Sequence, residues 1–150
     1  MKRSCAREIA MRMCFVLSNG TGNVEEQLER FFEPEYYASL QAEDAVFSEY
    51  PDERQKDYIS RLVRGIALHN AELDGYIAKY ATKWKFDRIS RTALAVIKTA
   101  MYEILYMPEV PTGTAINEAV ELAKKYEEPA TIPFINGVLG GFARNEAVDA

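Results

Sequence analysis

The sequence predicts an all-α fold. Apolar residues recur at spacings of three and four through most of the chain, and hard stops separate those stretches. No segment shows the strict alternation and turn punctuation of a strand. The pattern is clearest over 87–142, which reads as three consecutive helices and a docking core rather than a catalytic centre.

In chain order, residues 4–17 form a first helix, with Ile9, Met13 and Val16 on one stripe beside Ala6, Ala10 and Leu17. The run Ser18 to Asn23 ends it; no Gly-Lys-Ser/Thr follows the glycines, so it reads as a turn and not a phosphate cradle. Asn23 with Glu26 matches a reciprocal N-terminal cap for a helix that buries Val24, Leu28, Phe31 and Phe32 and stops at Pro34. A short helix around 36–45 precedes a loop to Pro51. Asp52 and Gln55 then cap one long helix through Ile59, Leu62, Val63, Ile66, Ala67, Leu73, Ile77 and Tyr80. On its stripe Asn70 is either a satisfied buried amide or the mark of a kink; Gly65 and Gly75 serve close packing or bending.

The 87–107 helix takes Asp87 as its N-cap and ends before Pro108 and Pro111. The next, 115–126, takes Thr114 as N-cap. Pro133 opens the last, where its missing N–H would be unpaired anyway, and Phe134, Val138, Leu139 and Phe142 are its buried side. Gly137 and Gly141 lie one turn apart, and each costs about 1 kcal/mol against alanine, so a neighbouring helix is expected against them. Trp84 and Tyr102 are expected in the core, and residues from Asn145 are expected to fray. The total is about six or seven helices.

At 150 residues one domain, 1–150, is expected, and the chain can bury a substantial core. A net charge of −5 argues against a broad basic coat for nucleic acid, though not against one small basic patch. Cys5 and Cys14, nine residues apart on one helix, would lie about 13 Å apart, too far for a disulfide. Reduced thiols, no signal peptide and no membrane-length apolar run together suggest a soluble cytoplasmic protein.

No catalytic constellation is visible. The single His69 has no cysteine or carboxylate cluster, and neither cysteine has a partner histidine. Glu118 and Glu121, and Glu25 and Glu29, share helix faces but read as solvated pairs. No cofactor fingerprint or metal motif appears. The informative feature is the N-terminus, where Lys2, Arg3, Arg7, Arg12 and the terminal amine face only Glu8. Arg3 and Arg7 fall one turn apart, and such a group can meet phosphates.

Several motifs resemble the NusB family of transcription antitermination factors. Trp84, Asp87-Arg88-Ile89, Arg91, Ala95, Lys98, Ala100 and Tyr102-Glu103 look like its central helix. Ala115-Ile116-Asn117-Glu118-Ala119-Val120-Glu121-Leu122-Ala123-Lys124 and Phe134-Ile135-Asn136-Gly137-Val138-Leu139 are similar to its two most recognisable stretches, and Ala6-Arg7-Glu8 fits its arginine-rich opening. The resemblance is strong over 84–142, fair over 3–17 and weak over 20–55. It implies an all-helical fold of two three-helix subdomains and an RNA-binding adaptor without catalysis or cofactor. It also implies binding of the boxA element of ribosomal RNA leaders with NusE, a small-subunit ribosomal protein, in an RNA polymerase antitermination complex. By position it implies RNA binding through Lys2, Arg3, Arg7, Arg12, Tyr126 and Phe134, with rings stacking on unpaired bases. Phe15, Glu118 and Glu121 are candidates for the protein partner, and Arg88 and Arg91 either tie the second subdomain together or meet a partner. Asn117 and Asn136 are expected to be structural, their amides bonding across helix ends or to neighbouring backbone.

The sequence also departs from that pattern. Ser4 and Cys5 stand where richer members carry arginines, and the 127–133 loop is acidic and proline-bearing. Both departures weaken phosphate attraction and predict RNA binding that needs the partner. They leave a second reading, a protein-interaction scaffold that keeps a NusE-like partner or pairs with itself as a homodimer. A third, an RNA methyltransferase module, is disfavoured because the chain stops where a catalytic domain would begin.

Overall fold

The computed structural model describes residues 1–17 and 23–147. Among them the structure is all-helical, with eight α-helices, two 3-10 turns and no strand. It divides into two compact units, Met1–Ala67 and Leu68–Ala150.

The first unit carries α1 (Arg3–Leu17), α2 (Val24–Phe31), α3 (Pro34–Gln41), a 3-10 turn (Ala45–Phe47) and α4 (Glu53–Leu68) as far as Ala67. Its caps follow the sequence. The Asn23 side chain accepts from the N–H groups of Glu25 and Glu26, and Asp52 Oδ1 accepts from the Gln55 N–H at 2.9 Å. Pro34 takes the first position of α3, where it forfeits no helix hydrogen bond. Rings of Phe31, Tyr37 and Phe47 meet edge to face at 5.5–6.1 Å between centroids, a favoured geometry for aromatic quadrupoles. Ala6, Ile9 and Ala10 of α1 and Ile59, Leu62 and Val63 of α4 are fully buried, so the apolar stripes read from spacing are largely the inner faces. The exceptions are Val16, expected on the α1 stripe but 54% exposed in the last turn of that helix, and Ala67, exposed near the end of α4.

The second unit holds α5 (Asn70–Tyr80), a 3-10 turn (Phe86–Arg88), α6 (Arg91–Tyr106), α7 (Thr112–Tyr126) and α8 (Thr131–Glu146). Helix α6 is central and packs against α5, α7 and α8. Its buried residues run from Ala93 to Ile104 on nearly every side, as a helix enclosed by others requires.

The structure corrects several boundaries. The long helix expected from Asp52 to Tyr80 is two helices, because His69 (φ −100°, ψ 17°) leaves helical geometry and its ring stacks on Tyr106 at 4.3 Å. That break, with α3 formed in full, gives eight helices instead of six or seven and four per unit instead of three. Asn70 is exposed at the break and accepts from Lys98 at 2.8 Å. Asp87 lies in a 3-10 turn, and Ser90 is the N-cap of α6, its Oγ accepting from the Ala93 N–H at 3.0 Å. Helix α7 starts at Thr112 behind Pro111, whose φ of −60° prepares the first turn, so Thr114 is an interior residue. Nothing lies within 4 Å of a Cβ placed on Gly137, so no helix presses there; at Gly141 the Tyr80 ring comes to 3.4 Å, ordinary contact. Helix α8 does not fray at Asn145: it runs to Glu146, which Lys79 holds at 2.8 Å and the Tyr80 hydroxyl also bonds. The expected turn at 18–22 lies outside the described residues. Among those residues no helix is long and apolar enough to cross a membrane.

Candidate functional site

The N-terminal cations are arranged by aromatic rings and acids of the first unit. Arg3 lies over the Tyr58 ring at 4.0 Å, and Arg7 approaches the same ring at 5.7 Å. Helical spacing puts both on one side of α1, as the sequence implies, but at different depths. Arg7 is only 3% exposed, whereas Arg3 is partly exposed and Lys2 is exposed. The expectation of Arg7 as an outward-facing phosphate ligand therefore meets a buried guanidinium. Arg12 is engaged as well: it pairs with Asp44 at 2.5 Å and lies over Phe47 at 5.1 Å. The terminal amine pairs with Glu49 at 2.6 Å, and that bond raises its pKa. The four N-terminal cations and the amine thus form a smaller outward patch than the sequence suggests, led by Lys2 and Arg3. Spacing along one helix could not reveal Asp44, Glu49 or Tyr58, which arrive from other elements.

In the second unit Phe134, in the first turn of α8, meets Trp84 with ring centroids 4.8 Å apart and planes at 44°. Trp84 is 46% exposed, against the expectation of a core residue, while Tyr102 is buried as expected. The connector between α5 and α6 carries Trp84 outside any α-helix, in successive turns: the backbone N–H of Trp84 bonds Ala81 O at 3.1 Å, and that of Arg88 bonds Lys85 O at 2.9 Å. Tyr126 ends α7 and is 36% exposed. Glu127, just beyond it, accepts a hydrogen bond from the Ser90 hydroxyl, tying that connector to the end of α7. Lys83, Lys85 and Arg88 are all exposed in this region. The sequence reading did not single them out for RNA, although cations interleaved with an aromatic ring in an acidic chain are a usable signal.

The remaining candidates are dispersed. Phe15 is partly exposed on α1; Glu118 is partly exposed on α7, and Glu121, one turn further, pairs with Lys124 at 3.0 Å. Asn117 and Asn136 are both exposed, on α7 and α8. Cys5 and Cys14 are free thiols, Cys14 buried. Among the described residues no group of three or more His, Cys, Asp and Glu side chains could hold a metal ion.

These elements define an all-helical protein with cations and aromatic rings close together in each of two helical units, and its two most regular sequence motifs are amphipathic, burying Ala115, Ala119, Leu122 and Ala123 of α7 and Ile135, Val138 and Leu139 of α8. The chain belongs to the NusB family, whose model matches residues 4–144, and this is a family of transcription antitermination factors without enzymatic activity. It is similar to the transcription antitermination protein NusB of Clostridium botulinum (strain Alaska E43), 36% identical over 93% of this chain and 96% of that one. The protein of the same description from Acetivibrio thermocellus is 35% identical over 100% of this chain and 94% of that one. Among solved structures, NusB of T. maritima superposes with a TM-score of 0.72 over 98% of this chain and 94% of that one; at 23% identity this likeness concerns the fold.

Proposed function

We propose that this protein is an RNA-binding adaptor in transcription antitermination. It binds boxA-type RNA of ribosomal RNA leaders together with NusE and joins the RNA polymerase elongation complex. The observation that carries this reading is family membership across nearly the whole chain, with relatives named as antitermination proteins at about a third identity. Lys2 and Arg3 meet phosphates directly in this reading. Arg7 supports the Tyr58 ring on which Arg3 lies, and Arg12 contributes when Asp44 releases it. Tyr126 and Phe134 offer rings to unpaired bases. Phe15, Glu118 and Glu121 remain proposed for the protein partner.

A scaffold with weak RNA binding is the second reading, favoured by the pairing of Arg12 and of the terminal amine with acids. Fluorescence anisotropy of a labelled boxA-like RNA, titrated at two salt concentrations with and without NusE, separates the two. The adaptor requires salt-sensitive binding that tightens with the partner. Charge reversal, Lys2→Glu with Arg3→Glu, should lower affinity and flatten the salt dependence by about 0.7 log unit for each phosphate left without its cation. Unchanged binding would remove those two roles. A NusE complex with no RNA shift at either salt would leave the scaffold.

A further inference from the structure

We propose that Trp84 and Phe134 form a stacking shelf for an unpaired base of single-stranded RNA, with Lys83, Lys85 and Arg88 holding the adjoining phosphates. The inference rests on the RNA-binding reading above and adds a site that the N-terminal cations do not supply.

Three observations carry it. The first is the indole. A tryptophan in contact with Phe134 at 4.8 Å yet 46% exposed is a held ring with surface left over, unlike Phe142 or Tyr37, which are fully buried. The second is rigidity. The turns closed by Ala81 O and Lys85 O and the Ser90–Glu127 hydrogen bond fix the connector, so a base would meet a prepared platform. The third is charge. Residues 83–91 carry Lys83, Lys85, Arg88 and Arg91 against Asp87 alone, in a chain of net charge −5. Elsewhere Arg12, Arg64, Lys79, Lys98 and Lys124 are engaged by carboxylates. Lys83, Lys85 and Arg88 make no ion pair among the described residues.

That composition selects the occupant. Docking an apolar protein surface on Trp84 would strip water from flanking cations without neutralising them. A single strand presents a base to the ring and phosphates to the cations at once, and base–aromatic stacking is tolerant of sequence.

Trp84 is the only tryptophan of the chain, so its fluorescence reports the shelf directly. The probe is the same boxA-like RNA, titrated onto the full chain with NusE present and made without tryptophan, while anisotropy of the labelled RNA follows binding in parallel. The shelf predicts saturable quenching that tracks the anisotropy, with a duplex of the same sequence quenching little. Trp84→Ala should weaken binding roughly tenfold and Trp84→Phe much less, with far-UV circular dichroism confirming the helices. Lys83→Glu with Lys85→Glu should weaken binding and reduce the salt slope. Anisotropy showing binding while Trp84 fluorescence stays constant, with Trp84→Ala binding as wild type does, would overturn the shelf and leave the RNA-binding reading intact. No binding by anisotropy would end both. Quenching by NusE without RNA would make the ring a protein contact, which also overturns the proposal.

Discussion

At the scale of single residues, aromatic rings do much of the organising. Tyr58 gathers Arg3 and Arg7, and Phe47 receives Arg12. Tyr37 is fully buried, its hydroxyl donating to Glu49 O at 2.7 Å, and burial pushes its phenol from 10.0 up to about 12. The folded state therefore holds this proton more tightly than the unfolded chain does. The resulting stability is fully present below pH 10 and is lost as pH rises toward 12, by about 3 kcal/mol in total. Tyr37→Phe should cost about 1 kcal/mol near neutral pH through removal of the hydrogen bond. In urea melts at a series of alkaline pH values, wild type should lose its advantage over that variant above pH 10. A constant difference would mean that the phenol is not held protonated by the fold. None of these partnerships is legible in the sequence: the arginines are visible as charges, but the residues that bury or neutralise them lie 32–55 positions away along the chain.

At the scale of elements, spacing predicts inner faces well and ends less well. Most of the stripes of α1, α4 and α6 are buried where expected because a helix has one periodicity and a core has one side, but Val16, in the last turn of α1, is 54% exposed. Asp87, Ser90 and Thr114 are all chemically able to cap, and which one does depends on the turn that precedes it. Glycine spacing misleads at Gly137, where no neighbour lies close. The same openness makes a prediction at Gly75, inside α5, where nothing lies within 4 Å of an added Cβ. Gly75→Ala should stabilise the protein by about 1 kcal/mol, since alanine loses less backbone entropy and nothing must move. Differential scanning calorimetry should show a rise of roughly 2–4 °C in Tm for a chain of this size. A fall would reveal a crowded or strained backbone at that position.

At the scale of the whole molecule, an acidic protein that binds RNA must do so through local cations against an unfavourable overall field. The few outward cations near the N-terminus make partner dependence the expected outcome: at near-physiological salt, affinity for boxA-like RNA should rise at least tenfold when NusE is added, more than 1 kcal/mol of coupling. Equal affinity with and without NusE, measured by anisotropy, would show that this chain's own surface is sufficient. The helical class, the inner faces, the caps at Asn23 and Asp52 and family membership are all written in the order of residues, because periodicity, cap chemistry and contiguous motifs are local in the chain. The break at His69, the burial of Arg7, the pairing of Arg12 with Asp44 and the exposure of Trp84 on Phe134 emerge only when the chain is folded. Each depends on a group supplied by a distant element, and whether a charge or a ring faces water is set by what packs beside it.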